Sequence, residues 1–519
     1  MAPAQPHPRN PRSAADSPSE AAEQVDVLVV GAGPTGLVLA GLLAARGVRV
    51  LIADARKELI GYPRAVGIDD DTLRVIQELG VIDDLRPHLL PGHYMRVVDR
   101  KDRVLATFHA QGEPLGYSRK NAFHQGALDR ILANSLAQRP GVELRLGARV
   151  DDVRDHTTSV TARVAGALVE TQWVVACDGG RSELRKQLGI GFPGSTAATR
   201  WLVADLAEDP VGRPGGVLGA DPARPYVSIC LPHGMRRFEF LLHDGEEVSR
   251  SLVQRLIAER VGVQVDNDVV RYREFTHNSR VAERFRSGRI LLAGDAAHLM
   301  PVWLGQGMNS GIRDAANLAW KLAGVVHGDY GPDVLDTYDA ERRDHVNAMV
   351  GRSRQVGEFV SMEGGKARLR DVAARALGAI PPIRRGVADM RFKPMPRLAG
   401  PLVLGDLPAG TMLPQPLVRA QGRTMLLDEA LPAGWSILTW GAEISDEWPT
   451  HKVVPSGCLG PAPADNLLED DGTLHRFFDE HRIGAAIIRP DHFVAAAGQV
   501  AEVPALATRL RSGLSAGLS

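Results

Sequence analysis

Two glycine-rich segments, far apart in the chain, each follow a short apolar run. The first reads Val27-Leu-Val-Val-Gly31-Ala-Gly33-Pro34-Thr35-Gly36 and leads into an Ala/Leu-rich helical pattern. The second reads Arg289-Ile-Leu-Leu-Ala-Gly294-Asp295-Ala-Ala-His298, followed by Gly305-Gln306-Gly307-Met308-Asn309. In the first, Gly31 permits a tight turn, Gly33 lets backbone approach a pyrophosphate, and Gly36 lets the helix pack closely on the strand. The helix start then offers unpaired amides and a positive dipole end to phosphates. Asp54, with Ala55 and Arg56 after it, ends the next apolar run, where an acid accepts from both ribose hydroxyls and repels a 2′-phosphate. That suits FAD or NAD better than NADP.

The second segment suits the other end of such a cofactor. Gly294-Asp295 stands at the carboxyl end of a strand, where α/β sheets bind ligands. The loop 305–309 precedes a long helix, whose amides and dipole favour negative charge on a reduced flavin ring. Asp295 is either an acceptor for a ribityl hydroxyl or a helix cap, and His298 reads as a structural histidine rather than a base.

These segments need a sheet to position them. Val25–Val30, a glycine turn, a helix over 37–46 and Val48–Ala53 form a βαβ opening, which predicts a parallel sheet with a right-handed crossover. A helix is expected over Asp69–Leu79. The middle of the chain carries short alternating runs, including Tyr94–Val98, Arg200–Leu206, Tyr226–Leu231 and Arg237–Leu242, which predict an inserted antiparallel sheet. Long helices are expected over Gly311–Val326 and Val334–Val350, a Pro/Gly-rich boundary at Pro381–Pro416, and a small α/β domain after it.

The expected organisation is α/β. A Rossmann-like FAD-binding domain is assembled from residues 25–93, 120–196 and 281–380, and an antiparallel-sheet substrate domain from 94–119 and 197–280. A thioredoxin-like C-terminal domain follows over 400–519. Residues 1–24, rich in Pro, Ala and Ser, read as a disordered tail; Arg9 and Arg12 are followed by no apolar run of the kind an export signal needs.

Composition narrows the function classes. At 519 residues, 44% hydrophobic and 24% charged, with a net charge of −1, the chain has no global field for nucleic acid or an anionic membrane. Three dispersed cysteines, Cys177, Cys230 and Cys458, exclude a disulfide scaffold and a thiolate metal site, so no metal is expected and a reducing cytoplasm is. No apolar run reaches the roughly 18 residues of a membrane span.

Three motifs in order, Gly31–Gly36, Asp178-Gly-Gly-Arg-Ser182 with Arg185, and Gly294–His298 with Gly305–Asn309, resemble the fingerprints of flavin-dependent aromatic hydroxylases of the p-hydroxybenzoate hydroxylase fold. Tyr62-Pro-Arg-Ala-Val-Gly-Ile-Asp69 and Asp314-Ala-Ala-Asn-Leu-Ala-Trp-Lys-Leu322 are similar to the 3-(3-hydroxyphenyl)propionate hydroxylase subgroup. The likeness covers roughly residues 25–400. It implies FAD as cofactor, NADH or NADPH and O2 as co-substrates, and hydroxylation of a phenolic ring through a hydroperoxide at flavin C4a, in aromatic-compound catabolism. It also implies that Asp178 serves FAD and NAD(P)H, that Gln125 and Arg64 lie against FAD, and that Pro301 borders the flavin. Pro414-Gln-Pro416, Leu427-Asp428 and Arg489–Ala495 resemble the thioredoxin-like appendage of larger members. There Cys458 stands alone, so packing or dimerisation, and with it a homodimer, replaces a redox role.

Two departures stand out. The family shows two prolines after its GDAAH segment, the second with its carbonyl near flavin and substrate; here Pro301 is followed by Val302, Trp303 and Leu304. A subgroup run is replaced by Phe275-Thr-His277-Asn278-Ser-Arg280, where His277 and Asn278 are either pocket groups or loop residues. Tyr272 or His277 is the candidate for assisting removal of a phenolic proton. Alternative functions are a hydroxylase tailoring a polycyclic or heteroaromatic metabolite, a flavin oxidase with no oxygen insertion, and a non-enzymatic flavin or NAD sensor.

Overall fold

The structure is a computed structural model that describes residues 22–265, 268–455, 457 and 467–515. Most of the expected tail, and Cys458, lie outside the described residues. Segments rich in Val, Leu and Ile form the parallel strands β1 (Glu23–Val30), β2 (Val50–Asp54), β3 (Val142–Leu146) and β4 (Ala167–Ala176). The chain then leaves for the second sheet through β5 (Gly194–Leu206), β6 (Tyr226–Cys230), β7 (Arg236–Leu242) and β8 (Val269–Val281). It returns as β9 (Ile290–Leu292). In the first sheet the parallel run is β9-β4-β1-β2-β3, extended by antiparallel strands at Arg286–Ser287, Val160–Val164 and Val150–Asp155. The central strands are apolar and buried at their carboxyl ends, as helices covering both faces require.

The helices that matter for the site are α1 (Pro34–Ala44), α2 (Asp70–Glu78), α3 (Gln125–Ala137), α4 (Arg250–Val261), α5 (Gly307–His327) and α6 (Asp336–Val360). Helix α1 is apolar all round and buried against the sheet and α5. Beyond α6 come Gly364–Gly378 and Pro381–Ala388, both helical. The second of these lies at the start of the Pro/Gly-rich boundary stretch; its prolines occupy the first helical turn, where they remove no hydrogen bond.

The inserted sheet runs β8-β5-β7-β6 and continues through Gly216–Gly219, Met95–Val98 and Val104–Phe108. All its pairs are antiparallel except one: Gly216–Gly219 lies parallel to Met95–Val98. Cross-strand partners share a face. Leu202, Ala204, Leu206, Phe238 and Phe240 pack under α4. The opposite face, with Val97, Leu218 and Val227, meets Trp303 and the α6 residues Val356, Phe359 and Val360. That second face looks toward the flavin-binding half.

After residue 410 a seven-stranded mixed sheet forms a separate core around Leu413, Leu438, Val453, Phe478 and Ile488. In this domain the strand Arg423–Leu426 is followed directly by a helical turn, Leu427–Ala430, which aims Asp428 back at α2.

Candidate active site

Gly31 adopts φ +110°, and a Cβ there would overlap the carbonyl oxygen of Cys177. Only glycine fits. A Cβ on Gly36 would meet the Gly31 carbonyl oxygen, so α1 packs directly on the turn. At Gly33 a Cβ would meet nothing within 4 Å: this is open space at the first turn of α1, with Pro34 in that turn and no side chain capping the helix. Free amides facing open space are what a pyrophosphate requires.

Asp54 is buried at the end of β2, and its carboxylate accepts from the Ala32 amide at 2.8 Å. Arg56 donates to the same carboxylate through its amide at 2.8 Å and its guanidinium at 2.7 Å, while Ala55 is exposed. Burial opposes ionisation of Asp54, but these donors outweigh it and hold the carboxyl below its usual range. An anionic Asp54 is the state that accepts ribose hydroxyls.

The loop after β4 brings Asp178 against the Gly31 turn. One of its oxygens accepts from the Glu183 amide at 2.9 Å; the other, Oδ1, is buried without a partner. Burial raises its carboxyl.

Gly294 and Asp295 follow β9. Thr35 of α1 packs into the space that a Cβ on Gly294 or Gly311 would need, which locks the two glycine segments together. Asp295 is 34% exposed, and Arg64 reaches it at 3.3 Å across the site mouth. His298 is structural: its Nε2 lies 2.6 Å from Asp314, which also accepts from the Gly294 amide at 3.0 Å and from Arg342 at 2.9 Å. Gln125 is buried rather than on the surface; it accepts from the Ala65 amide at 2.7 Å and donates to Asp129 at 3.2 Å.

The flavin-end loop is built around one carboxylate that the sequence reading did not single out. Asp69 accepts from Lys120 at 3.1 Å, Lys393 at 2.5 Å, Gln306 at 2.9 Å and Arg313 at 3.2 Å. Despite burial, these cations hold it far below the usual carboxylate range. Asn309 bonds the Asp69 amide at 3.0 Å and the Gly305 carbonyl at 2.7 Å. The side chains of Gln306 and Asn309 therefore shape the loop, leaving the uncapped amides at Gly307 and Met308 for a ligand. Gly305 turns the chain at φ +63°. The Pro301 carbonyl, just before Val302, accepts from Ser353 of α6 at 2.7 Å.

Next to this loop is an aromatic box. His277 stacks on Trp303 at 5.0 Å between centroids and meets Trp201 and Phe275 edge-on at 5.3 Å each. His277 is buried, its Nε2 has no partner, and burial pushes its pKa down to about 4, so the ring is neutral near pH 7. Tyr272 is elsewhere. It pairs with Ala204, whose side chain belongs to the α4 side of the sheet, and it is 38% exposed. The structure thus separates the two proton-handling candidates onto opposite faces, and Tyr272 cannot serve a site on the flavin side.

Among the described residues no group of three or more His, Cys, Asp or Glu side chains is arranged to hold a metal, and no helix is long and apolar enough to cross a membrane.

These residues fit a flavin dinucleotide: open space at Gly33, an orphaned Asp178 oxygen, a half-exposed Asp295 and uncapped amides at the start of α5. Comparison with known proteins agrees. The family described as FAD binding domain matches residues 24–353, and the HcaD C-terminal domain matches 410–513. A protein of Mycolicibacterium gilvum named 3-(3-hydroxy-phenyl)propionate/3-hydroxycinnamic acid hydroxylase is 42% identical over 94% of this chain and 92% of its own. The flavin-dependent monooxygenase PieE, solved with FAD and substrate, superposes with a TM-score of 0.80 at 22% identity, covering 94% of this chain and 99% of its own. Aklavinone-11 hydroxylase, solved with FAD and aklavinone, gives 0.76 at 25% identity, with 94% and 99% covered. The chain therefore belongs to the FAD-dependent aromatic-ring monooxygenases, in the group of the 3-(3-hydroxyphenyl)propionate hydroxylases.

Proposed function

We propose that this protein hydroxylates a phenolic ring of the 3-(3-hydroxyphenyl)propionate type, consuming O2 and NADH or NADPH. The observation that carries this reading is the 42% identity to a hydroxylase of that name over 94% of the chain. Bound FAD would supply the redox and oxygen-activating chemistry, with reducing equivalents from NADH or NADPH. The protein's own residues do the rest. Asp54, Gly33 and the α1 amides hold the adenosine and pyrophosphate, Asp295 the ribityl chain, and the loop 305–309 the flavin ring. Asp178 borders both FAD and the reductant. Trp201, Trp303, Phe275 and His277 provide apolar walls for an aromatic ring and exclude water from it.

The same reading assigns the tailoring of polycyclic metabolites to a second place, since the neighbours that act on such rings are no more than 25% identical. It treats residues 400–519 as a thioredoxin-like module used for packing, supported by a mixed sheet that ends in the antiparallel pair Ala485–Ile488 and Val494–Gly498. Cytoplasmic location and a homodimer belong to this reading too.

Purified, flavin-loaded protein, supplied with NADH or NADPH, 18O2 and 3-(3-hydroxyphenyl)propionate, is expected to give a product carrying one 18O atom. Substrate-stimulated NAD(P)H oxidation that yields only peroxide, with no label in product, rejects hydroxylation in favour of an oxidase.

A further inference from the structure

One acid on the flavin-facing side of the inserted sheet has no partner. Glu239 lies in β7 between Val203 of β5 and Val227 of β6, its direct cross-strand neighbours. It is 6% exposed, and among the described residues no hydrogen bond or ion pair reaches its carboxylate, whereas Arg237 and Asp205 on the same face of β7 and β5 pair with each other. Two residues earlier, Arg237 grips Asp205 at 2.7 and 3.0 Å and donates to the carbonyls of Pro63 and Arg64, the strap whose Arg64 side chain reaches Asp295. Glu239 shares this face with Arg237, with Trp201 and with the apolar floor of Val97, Leu218 and Val227 under Trp303 and Phe359.

An unpaired buried carboxylate costs several kcal/mol if ionised, so its retention in an apolar slot calls for a ligand that completes it. We propose that Glu239 is the hydrogen-bond acceptor that recognises the ring hydroxyl of the substrate and takes its proton. In that step the phenol O–H bond breaks, its electron pair stays on the phenolate oxygen, and an O–H bond forms on the carboxylate; the proton returns when product leaves. A phenolate is the more electron-rich ring, which favours attack on an electrophilic oxygen. The charged groups around Glu239 are Arg237 on its own strand, Asp205 on β5 and, beyond that strand, Arg271 and the exposed Arg273 on β8, the latter in the same cross-strand row. The β6 and α6 sides bring only apolar groups. Burial pushes the carboxyl up to about 7, with Arg237 opposing and Asp205 adding to the rise. Near neutrality it can therefore exist in both states.

This assignment rests on the phenol-hydroxylase reading, and the test separates the two. Equilibrium binding of 3-(3-hydroxyphenyl)propionate and of its 3-methoxy analogue is measured on flavin-loaded wild type and Glu239→Gln, by perturbation of the flavin spectrum. Wild type is expected to prefer the phenol by about tenfold, and Glu239→Gln to lose that preference while keeping its flavin and melting temperature. The wild-type preference should also strengthen as pH rises through neutrality, a readout that needs no variant. A wild type that binds neither ring overturns the functional reading. Equal preference for the phenol in both proteins, or a wild-type preference independent of pH between about 6 and 8, overturns the role of Glu239 alone.

Discussion

Arg489 and Glu341 face each other as a fully buried bidentate pair, with guanidinium nitrogens donating at 2.7 and 2.8 Å. Arg489 directly follows the strand Ala485–Ile488 of the C-terminal sheet, and Glu341 belongs to α6. Lys321 and Asn317 of α5 donate to the same carboxylate at 2.8 and 2.7 Å, and Asp491 binds Arg489 and the Trp320 indole. Glu341→Ala leaves the buried Lys321 without its carboxylate and Arg489 with Asp491 alone, and is expected to destabilise by about 3–5 kcal/mol. Denaturant midpoints check this; a loss below about 1 kcal/mol sinks it.

Gly33 and Gly31 should behave oppositely. Gly33→Val places its side chain in open space, so the apoprotein should melt as wild type does while failing to retain FAD. Gly31→Ala, at φ +110° and against the Cys177 carbonyl, should lower the melting temperature with or without cofactor. Melting curves with and without added FAD discriminate the pair.

For Asp295→Ala the expected loss is one charge-assisted hydrogen bond to the cofactor, about 1.5–3 kcal/mol or roughly 10–100-fold in FAD affinity. The side chain makes only the 3.3 Å contact to Arg64 in the protein, so thermal stability of the apoprotein should change little. Titration of apoprotein with FAD is the measurement, and an unchanged Kd counts against the residue's role.

Three buried histidines set an acid-side stability limit. Burial pushes His93 and His277 down to about 4 and His345 to about 3. At these histidines the unfolded chain, near 6.5, binds protons that the folded chain refuses, so their contribution to stability is full above about 6.5 and is lost as pH drops toward 4, opposed by buried carboxyls such as Glu239 that are raised to about 7. Each group contributes up to roughly 3 kcal/mol across that window. Denaturant midpoints at several pH values should slope accordingly, and His277→Phe should flatten part of the slope. A His277→Phe variant whose midpoint changes with pH between about 6.5 and 5 just as the wild type's does would contradict this account.

The parallel sheet and both glycine segments were readable because each depends on local sequence: an apolar run, a turn that only glycine fits, and a helix start. The ring-facing pocket was not. Strand β8 is rich in Arg and Glu and lacks apolar alternation, so it reads as no strand; once it is one, the odd separation of Tyr272 and His277 must put them on opposite faces. Trp201 and Trp303 meet only because β5 and the Val302–Leu304 turn are brought together by the fold. The isolation of Glu239 depends on Val203 and Val227, which flank it through strand pairing and not through sequence. Asp69 lay inside a recognised motif, yet its four donors come from segments separated by 51 to 324 positions.

That spread has a consequence for biosynthesis. A growing chain emerges N-terminus first, and Lys393 is the last donor to reach Asp69. The carboxylate that shapes the flavin loop is thus fully neutralised only after most of the protein has been made, and a nascent chain stopped short of residue 393 carries the adenine end of its cofactor site with the flavin end still unfinished.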